Sequence, residues 1–439
     1  MAGAEGGRPR IVIVGGGSRQ WGTKLTTDVL TTPSLTNATI VLHDVDESAL
    51  DLIGSYYERL NGELGTSATI ETTTDRRAAL KDAEFVAVTI TTGGFESMAH
   101  DLAVPEKYGI RQSVGDTCGP GGISRSLRNI PVLLDIARDM ESLCPDAWLL
   151  NLTNPMTCLT RAVNKETSIK AVGLCHEVVI MSWLVAIALD VPADTVAFSI
   201  TGVNHLPWIT ELAVGGNDGF ELVRRVPDGD PKMEKFAHEH QLKLALLDRY
   251  GALPGAGDRH VAEFFPWVLT EDSNWGKQWG VHLTSIRDRE NMERYYRDEI
   301  DQIIDGDKPL PAWQSGEMVA PIIDSLVTGT HRELPLNLPN AGQAPYLPND
   351  VVVETMCVVD ATGIRGRDAI VPPVQCAEWT RRQVSVQELT VDAAVSGDAE
   401  LVKAAMALDP LAGRIDLRAI DAMTDELLAA TARWLPQFA

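Results

Sequence analysis

A short apolar run ending in three consecutive glycines constrains this chain more than any other feature. Ile11–Val14 (IVIV) passes directly into Gly15-Gly16-Gly17-Ser18, and a helical pattern begins near Trp21. Four consecutive β-branched residues form a strand covered on both faces, as parallel sheets require. Glycines after such a strand permit a tight turn and let the backbone approach a pyrophosphate, whose charge the following helix N-terminus stabilises. Gly15, Gly17 and Ser18 are therefore cofactor-binding candidates, although Gln20 stands where the GxGxxG pattern has its third glycine. Asp44 closes the next apolar run (VLHD). A carboxylate there accepts hydrogen bonds from the adenosine ribose and disfavours a 2′-phosphate, so NAD is expected rather than NADP. A plain turn and a strand-end cap are the alternative readings.

The remaining apolar runs of the first 200 residues are Ile40–His43, Phe85–Ile90, Trp148–Leu150 and Ala171–Leu174. Amphipathic stretches such as Glu47–Leu60 and Ser124–Leu143 separate them, and Pro131 should kink or restart the second. The alternation predicts an α/β fold with a Rossmann-like, doubly wound parallel sheet. Past residue 196 the strands Ala197–Gly202 and Trp208–Val214 look half-buried. Helices are expected over Pro231–Tyr250, over Arg287–Ile304 and within Val386–Phe438. Residues 8–200 thus read as the NAD-binding domain, and residues 201–439 as an α+β domain for substrate and oligomerisation.

Composition removes several classes. With 38 basic against 61 acidic side chains the net charge is −23, which argues against nucleic acid and anionic lipid as partners. The longest apolar stretch, Val178–Leu189, is too short to span a bilayer, and no export signal is evident, so a cytoplasmic enzyme is expected. Cys118, Cys144, Cys158, Cys175, Cys357 and Cys376 are scattered without a CxxC pair, which suits a reducing compartment.

Four segments are hard to explain as scaffold: GDTCGPGG at 115–122, NLTNP at 151–155, GLCHEV at 173–178 and GVNHL at 202–206. Two of them follow predicted strands, where ligands sit in open α/β sheets. Cys175-His176 and Asn204-His205 offer sulfur and nitrogen donors for a metal. By spacing alone, a core cysteine and a structural histidine are the stronger reading. Trp183, Trp208, Trp267, Trp275, Trp279 and Trp313 include candidate sugar-stacking platforms.

Together with VGGGS at 14–18, TTGG at 91–94, NLTNPM at 151–156 and NDVVVE at 349–354, these segments resemble glycoside hydrolase family four, along nearly the whole chain. The stretch 108–131 looks most like its α-galactosidase branch, whereas CHEV at 175–178 looks like its α-glucosidase variant. His176, where phosphosugar enzymes of the family carry Asp or Asn, implies an unphosphorylated α-hexoside, with an α-galacturonide as a further option. The resemblance implies NAD and Mn²⁺ as cofactors and a homodimer or homotetramer. It also implies a redox-assisted elimination in place of two-carboxylate hydrolysis. C3 of the sugar is oxidised, C2 loses a proton, the C1–oxygen bond is expelled, water adds, and C3 is reduced again. On that resemblance Cys175 and His205 would be metal ligands and Asn154 would hold sugar hydroxyls. Asp258 would be the C2 base, with His260 and Asp116 as the other candidates, and His176 the leaving-group acid. A ligating Cys175, exposed as thiolate, would be inactivated by air. Two other readings stay open. An NAD-dependent dehydrogenase of the lactate/malate type would need a His–Asp pair and a substrate-binding arginine but not Cys175. A catalytically silent NAD sensor would need none of these.

Overall fold

A computed structural model describes residues 8–225, 229–310 and 314–439. Strands β1 (Arg10–Val14), β2 (Thr39–His43), β3 (Thr69–Thr73), β4 (Phe85–Val88), β5 (Trp148–Asn151) and β6 (Lys170–Leu174) run parallel in the order β3-β2-β1-β4-β5-β6. That is a doubly wound order. Alternate side chains serve opposite faces. Val12, Val14, Val86 and Val88 pack with Ile123, Ile130 and Leu134, while Ile11, Ile13, Ile40 and Leu42 pack with Leu25, Val29 and Ile53. Strand β3 (TIETT) was not expected from the sequence. It lies at the sheet edge with Glu71 and Thr72 exposed, so it has no continuous apolar run to betray it.

The sheet does not stop at residue 200. Strands β7 (Val196–Val203), β8 (Leu206–Val214), β9 (Asn217–Asp218), β10 (Leu253–Pro254), β11 (Arg332–Pro339), β12 (Val352–Asp360) and β13 (Gly363–Gly366) extend it to 13 strands among the described residues. The seam is antiparallel, with Leu336 and Asn337 of β11 opposite Leu174 and Gly173 of β6. Two prolines in β11 (RELPLNLP) hid it from the sequence reading. The fold tolerates them because β6 pairs only with Leu336 and Asn337, beyond Pro335 and short of Pro339.

Pro131 does not restart its helix, which runs unbroken over Gly119–Leu143. The Leu127 carbonyl, deprived of an N–H by Pro131, accepts one from Gln437 Nε2 at 2.7 Å. The expected Pro231–Tyr250 helix is instead two, Pro231–Glu239 and Gln241–Tyr250, divided at His240. The C-terminal ends of β1, β4, β5 and β6 all open toward the segments singled out above.

Candidate active site

The nucleotide end is built from backbone. Gly15 has φ +89°, and a β-carbon on it would lie 2.1 Å from the Thr89 carbonyl oxygen, so glycine alone fits. The Gly17 N–H donates to Asp44 Oδ2 at 3.1 Å, and a β-carbon on Gly17 would meet that same oxygen at 2.9 Å. Ser18 Oγ accepts from the Trp21 amide at 3.1 Å and so starts the Trp21–Thr31 helix. The glycine missing at position 20 is supplied by Gly22, whose β-carbon would lie 2.6 Å from the Gly16 carbonyl oxygen. Helix and turn therefore pack as closely as the usual motif, with the glycine moved two residues along.

The Gly119–Leu143 helix fastens two strand-end loops. Arg125 donates through Nε to the Asn154 carbonyl at 3.0 Å and through Nη2 to Thr91 Oγ1 at 2.9 Å. Asn129 accepts from the Thr92 amide at 3.0 Å and donates to the Asn154 carbonyl at 3.3 Å. Arg128, fully buried, pairs with buried Asp101 and donates to the Thr92 carbonyl at 3.0 Å. Asn154 precedes a cis proline, and its side-chain oxygen is buried without a hydrogen-bond partner among the described residues. A free amide acceptor at a strand end is suited to a sugar hydroxyl.

Charge gathers where β6, the β7–β8 turn and the loop after β10 converge. Asp116, His205 and His260 each offer a ligand atom within 4.8 Å of the others. The two imidazoles stack with centroids 3.8 Å apart, and His205 Nδ1 lies 2.7 Å from Thr117 Oγ1. His205 has φ +65°, a left-handed conformation costing a residue with a β-carbon roughly 1 kcal/mol. Burial, reinforced by the neighbouring His260 ring, brings His205 down to about 3, so its ring is neutral at ordinary pH. Burial alone would raise Asp116, but the rings of His260 and His205, with Arg125 and Arg289, outweigh it and leave about 2. Glu177 is likewise held at about 2 against its burial by both rings, by the Gly257 N–H at 2.7 Å and by Lys243. Two carboxylates held anionic beside two imidazole rings make a site complementary to a divalent cation.

The other predicted residues lie around this group in distinct roles. Asp258 is buried; its Oδ2 accepts the Leu242 amide at 2.9 Å, satisfying the first turn of the Gln241–Tyr250 helix, and its Oδ1 has no partner among the described residues. Burial raises it to about 6, against the pull of Lys243 and the Leu242 and Lys243 amides. His176 bonds through Nδ1 to both Glu317 oxygens at 3.0 and 3.2 Å, a bond that raises its pKa, and its side chain keeps 30% exposure. Glu317 is positioned by Ser315 Oγ, which accepts its amide at 3.2 Å and itself donates to buried Asp28. Cys175 does not belong to the group of three. It is buried, and burial, with Glu354 and Glu177 nearby, pushes its thiol well above the ordinary value. The expectation of an exposed, air-sensitive thiolate is therefore corrected. Among the tryptophans Trp208 is fully buried core, Trp183 and Trp267 are partly exposed, and Trp313 lies outside the described residues.

The sequence reading missed Glu177, Glu263, Lys243 and Glu354. All but Lys243 carried one signal, an acid set among apolar residues or glycines: GLCHEVV, VAEFF and VVVETM. Glu263 is fully buried, accepts the Val114 and Gly115 amides at 2.7 and 2.8 Å, and is raised by burial to about 8. It anchors the segment that ends in Asp116. Glu354 is also fully buried and also raised to about 8 by burial.

Residues 10–191 match the family model of the family 4 glycosyl hydrolases, and residues 200–412 match the model of that family's C-terminal domain. An α-galactosidase from Bacillus subtilis is 34% identical over 98% of this chain and 99% of its own length. An α-galacturonidase from Thermoanaerobacterium saccharolyticum is 33% identical over 97% of this chain and 96% of its own. The fold is that of a 6-phospho-β-glucosidase from Thermotoga maritima, solved with manganese, NAD⁺ and glucose-6-phosphate. That structure has a TM-score of 0.80 at 20% identity, over 97% of this chain and 99% of that one. A malate dehydrogenase from Plasmodium falciparum shares the fold at a TM-score of 0.54 and 13% identity, covering 90% of this chain and 99% of that one.

Proposed function

The chain belongs to the family 4 glycosyl hydrolases and is a glycoside hydrolase, and on that premise we propose that it cleaves unphosphorylated α-D-hexosides, with NAD and Mn²⁺ as cofactors. The hexose is a galactoside, a galacturonide or a glucoside, the substrates named for its relatives. The dehydrogenase reading retains only a distant likeness of fold. One observation carries the proposal: Asp116, His205 and His260 converge near Glu177, on the sheet whose first strand ends in the glycine turn.

The residues fit both cofactors. The turn at Gly15–Gly17 leaves no room for a β-carbon, as a pyrophosphate cradle demands, and Asp44 stands beside it for the ribose. Asp116, His205 and His260 would hold the metal in a nitrogen–oxygen donor set, which suits Mn²⁺ better than the thiolate–imidazole pair expected from the sequence. Cys175, the family-implied ligand, would have to lose its proton as the cation enters. When bound, NAD⁺ supplies a hydride acceptor for C3 and Mn²⁺ a Lewis acid for the C2 and C3 oxygens.

The chain's own side chains supply the rest. Asp258, near 6 and with a free buried oxygen, takes the C2 proton at neutral pH; Asp116 and His260 are engaged with His205 and leave it that task. His176, held at Nδ1 by Glu317, presents Nε2 to the leaving-group oxygen. Asn154 Oδ1 accepts from a sugar hydroxyl and so orients the ring.

The protein acts as a homodimer or homotetramer, for which the apolar Glu177–Leu189 helix offers exposed Trp183 and Ile187. It works in the cytoplasm, which the six free cysteines suit. Among the described residues no helix is long and apolar enough to cross a membrane.

The test is a panel of p-nitrophenyl α-galactoside, α-glucoside and α-galacturonide, assayed with NAD⁺, Mn²⁺ and a reductant in D₂O. Cleavage abolished by chelator, with deuterium at C2 of the released sugar, is expected. Cleavage without deuterium at C2 overturns the elimination; net NADH from hydroxy acids returns the dehydrogenase.

A further inference from the structure

The acid closing the NDVVVE segment has no part in the chemistry above. Glu354 lies in the middle of the sheet, on β12, in register with Asn337 of β11 on one side and Gly202 of β7 on the other. Asn337 faces Gly173 of β6, which faces Asn151 of β5. A polar row, Asn151, Asn337 and Glu354, thus crosses the seam just beneath the strand ends that carry Cys175 and His205.

The row reaches the cation site through Asn204. Val203 pairs with Leu206, so Asn204 and His205 are the two-residue turn joining β7 to β8. His205 sits there at φ +65°, a conformation that persists only where its surroundings over-determine it. Asn204 provides that constraint twice. Its backbone amide donates to Thr157 Oγ1 at 3.2 Å, and its Nδ2 donates to Glu354 Oε2 at 3.3 Å.

We propose that Glu354 is a positioning residue for the cation site: through Asn204 it locks the 204–205 turn in the form that sets the His205 ring against His260 and Thr117. The inference rests on the metal-binding role proposed for His205. Glu354 stands outside the group of three and reaches it through the Asn204 side chain.

The bonding pattern asks for shape and a hydrogen-bond donor rather than for charge. Glu354 Oε1, Asn204 Oδ1 and Asn337 Oδ1 are buried with no partner among the described residues, while Asn204 Nδ2 donates to Glu354 Oε2 and Asn337 Nδ2 donates to Met156 Sδ. Acceptors gathered without a donor are costly, and a side chain of glutamate's shape that donates from one terminal atom relieves them. Glutamine does this and alanine does not.

The test titrates the NAD⁺-loaded enzyme with Mn²⁺ and follows the electron paramagnetic resonance of the free ion. Glu354→Gln is expected within about threefold of the parent in Mn²⁺ Kd and in kcat. Glu354→Ala and Asn204→Ala are expected to weaken Mn²⁺ binding roughly ten- to a hundredfold while NAD⁺ affinity holds. A merely structural role would lower Tm and leave the Mn²⁺ Kd of the folded protein unmoved, and that result overturns the proposal. So does a Glu354→Gln variant as weak as the alanine one. Should Glu354→Ala fail to fold, Glu354→Asp and Asn204→Ser carry the comparison, and unchanged Mn²⁺ affinity in both overturns it. Unchanged Mn²⁺ affinity in His205→Ala would instead bring down the metal reading itself, and this inference with it.

Discussion

The glycine turn and the charged centre lie on the same sheet and are built on opposite principles. The turn is contiguous in sequence, and what matters there is side chain that is absent: Gly15, Gly17 and Gly22 let backbone and carbonyls approach. At the centre, side chains from residues 116, 177, 205, 258 and 260 come from distant parts of the chain; all are buried or half-buried, and all but His260 are shifted in pKa. Close backbone approach is local and tolerates no substitution. A cluster of buried charges is non-local, and it tunes each member through the others.

Substitutions can break this contrast, and Gly15→Ala should have the largest effect. Its β-carbon would meet Thr89 O at 2.1 Å with φ at +89°, so NAD⁺ affinity should fall on the order of a hundredfold or the fold should fail. Titration of protein fluorescence with NAD⁺ measures it, and unchanged affinity would mean that the turn does not depend on close approach. At the charged centre, Asp258→Asn should slow turnover roughly 10²- to 10⁴-fold and stop deuterium entering C2, while sugar still binds. Continued exchange would move the base role to His260 or Asp116.

His260→Ala and Asp116→Asn should each weaken Mn²⁺ by roughly tenfold to a hundredfold. Cys175→Ser sharpens the contrast, because loss of the same size would add the thiol to the donor set and no loss would leave the nitrogen–oxygen group alone. A smaller effect concerns stability against pH. Glu263 is raised from 4.5 to about 8 by burial, so the folded state holds a proton that the unfolded state gives up above about 4.5. Its contribution is therefore fully present below pH 4.5, falls as pH rises to about 8, and is level beyond. Thermal melts of Glu263→Gln between pH 5 and 8.5 should show a shallower decline than the parent. The smallest effect is expected from Gly62→Ala in the Glu47–Leu64 helix, where nothing lies within 4 Å of the new methyl. It should raise stability by about 0.5–1 kcal/mol and leave NAD⁺ binding alone. A loss there would show that glycine matters for reasons other than close approach.

How far the sequence could be read follows from the same contrast. Five of the six parallel strands were legible as continuous apolar runs, and the turn was legible because its residues are neighbours. Strand β3 was hidden by its exposed edge, and β11 by its two prolines. Asp116, His205 and His260 were each named from the sequence, yet nothing in their spacing said that they share one site. Gln20 looked like a defect until Gly22 was seen against the Gly16 carbonyl.

By itself, then, the sequence determined the doubly wound sheet, the place of the nucleotide turn and the family, because periodicity, turn chemistry and contiguous motifs are local properties. Tertiary structure alone decided that the strands of both halves form one sheet across the seam at Asn337 and Gly173. It also decided that Cys175 is a buried thiol raised well above its ordinary pKa, and that a carboxylate and two imidazoles meet in a group without it. Burial and the electrostatics between groups far apart in the chain do not exist until the chain has folded, and those are what set the protonation states on which this chemistry depends.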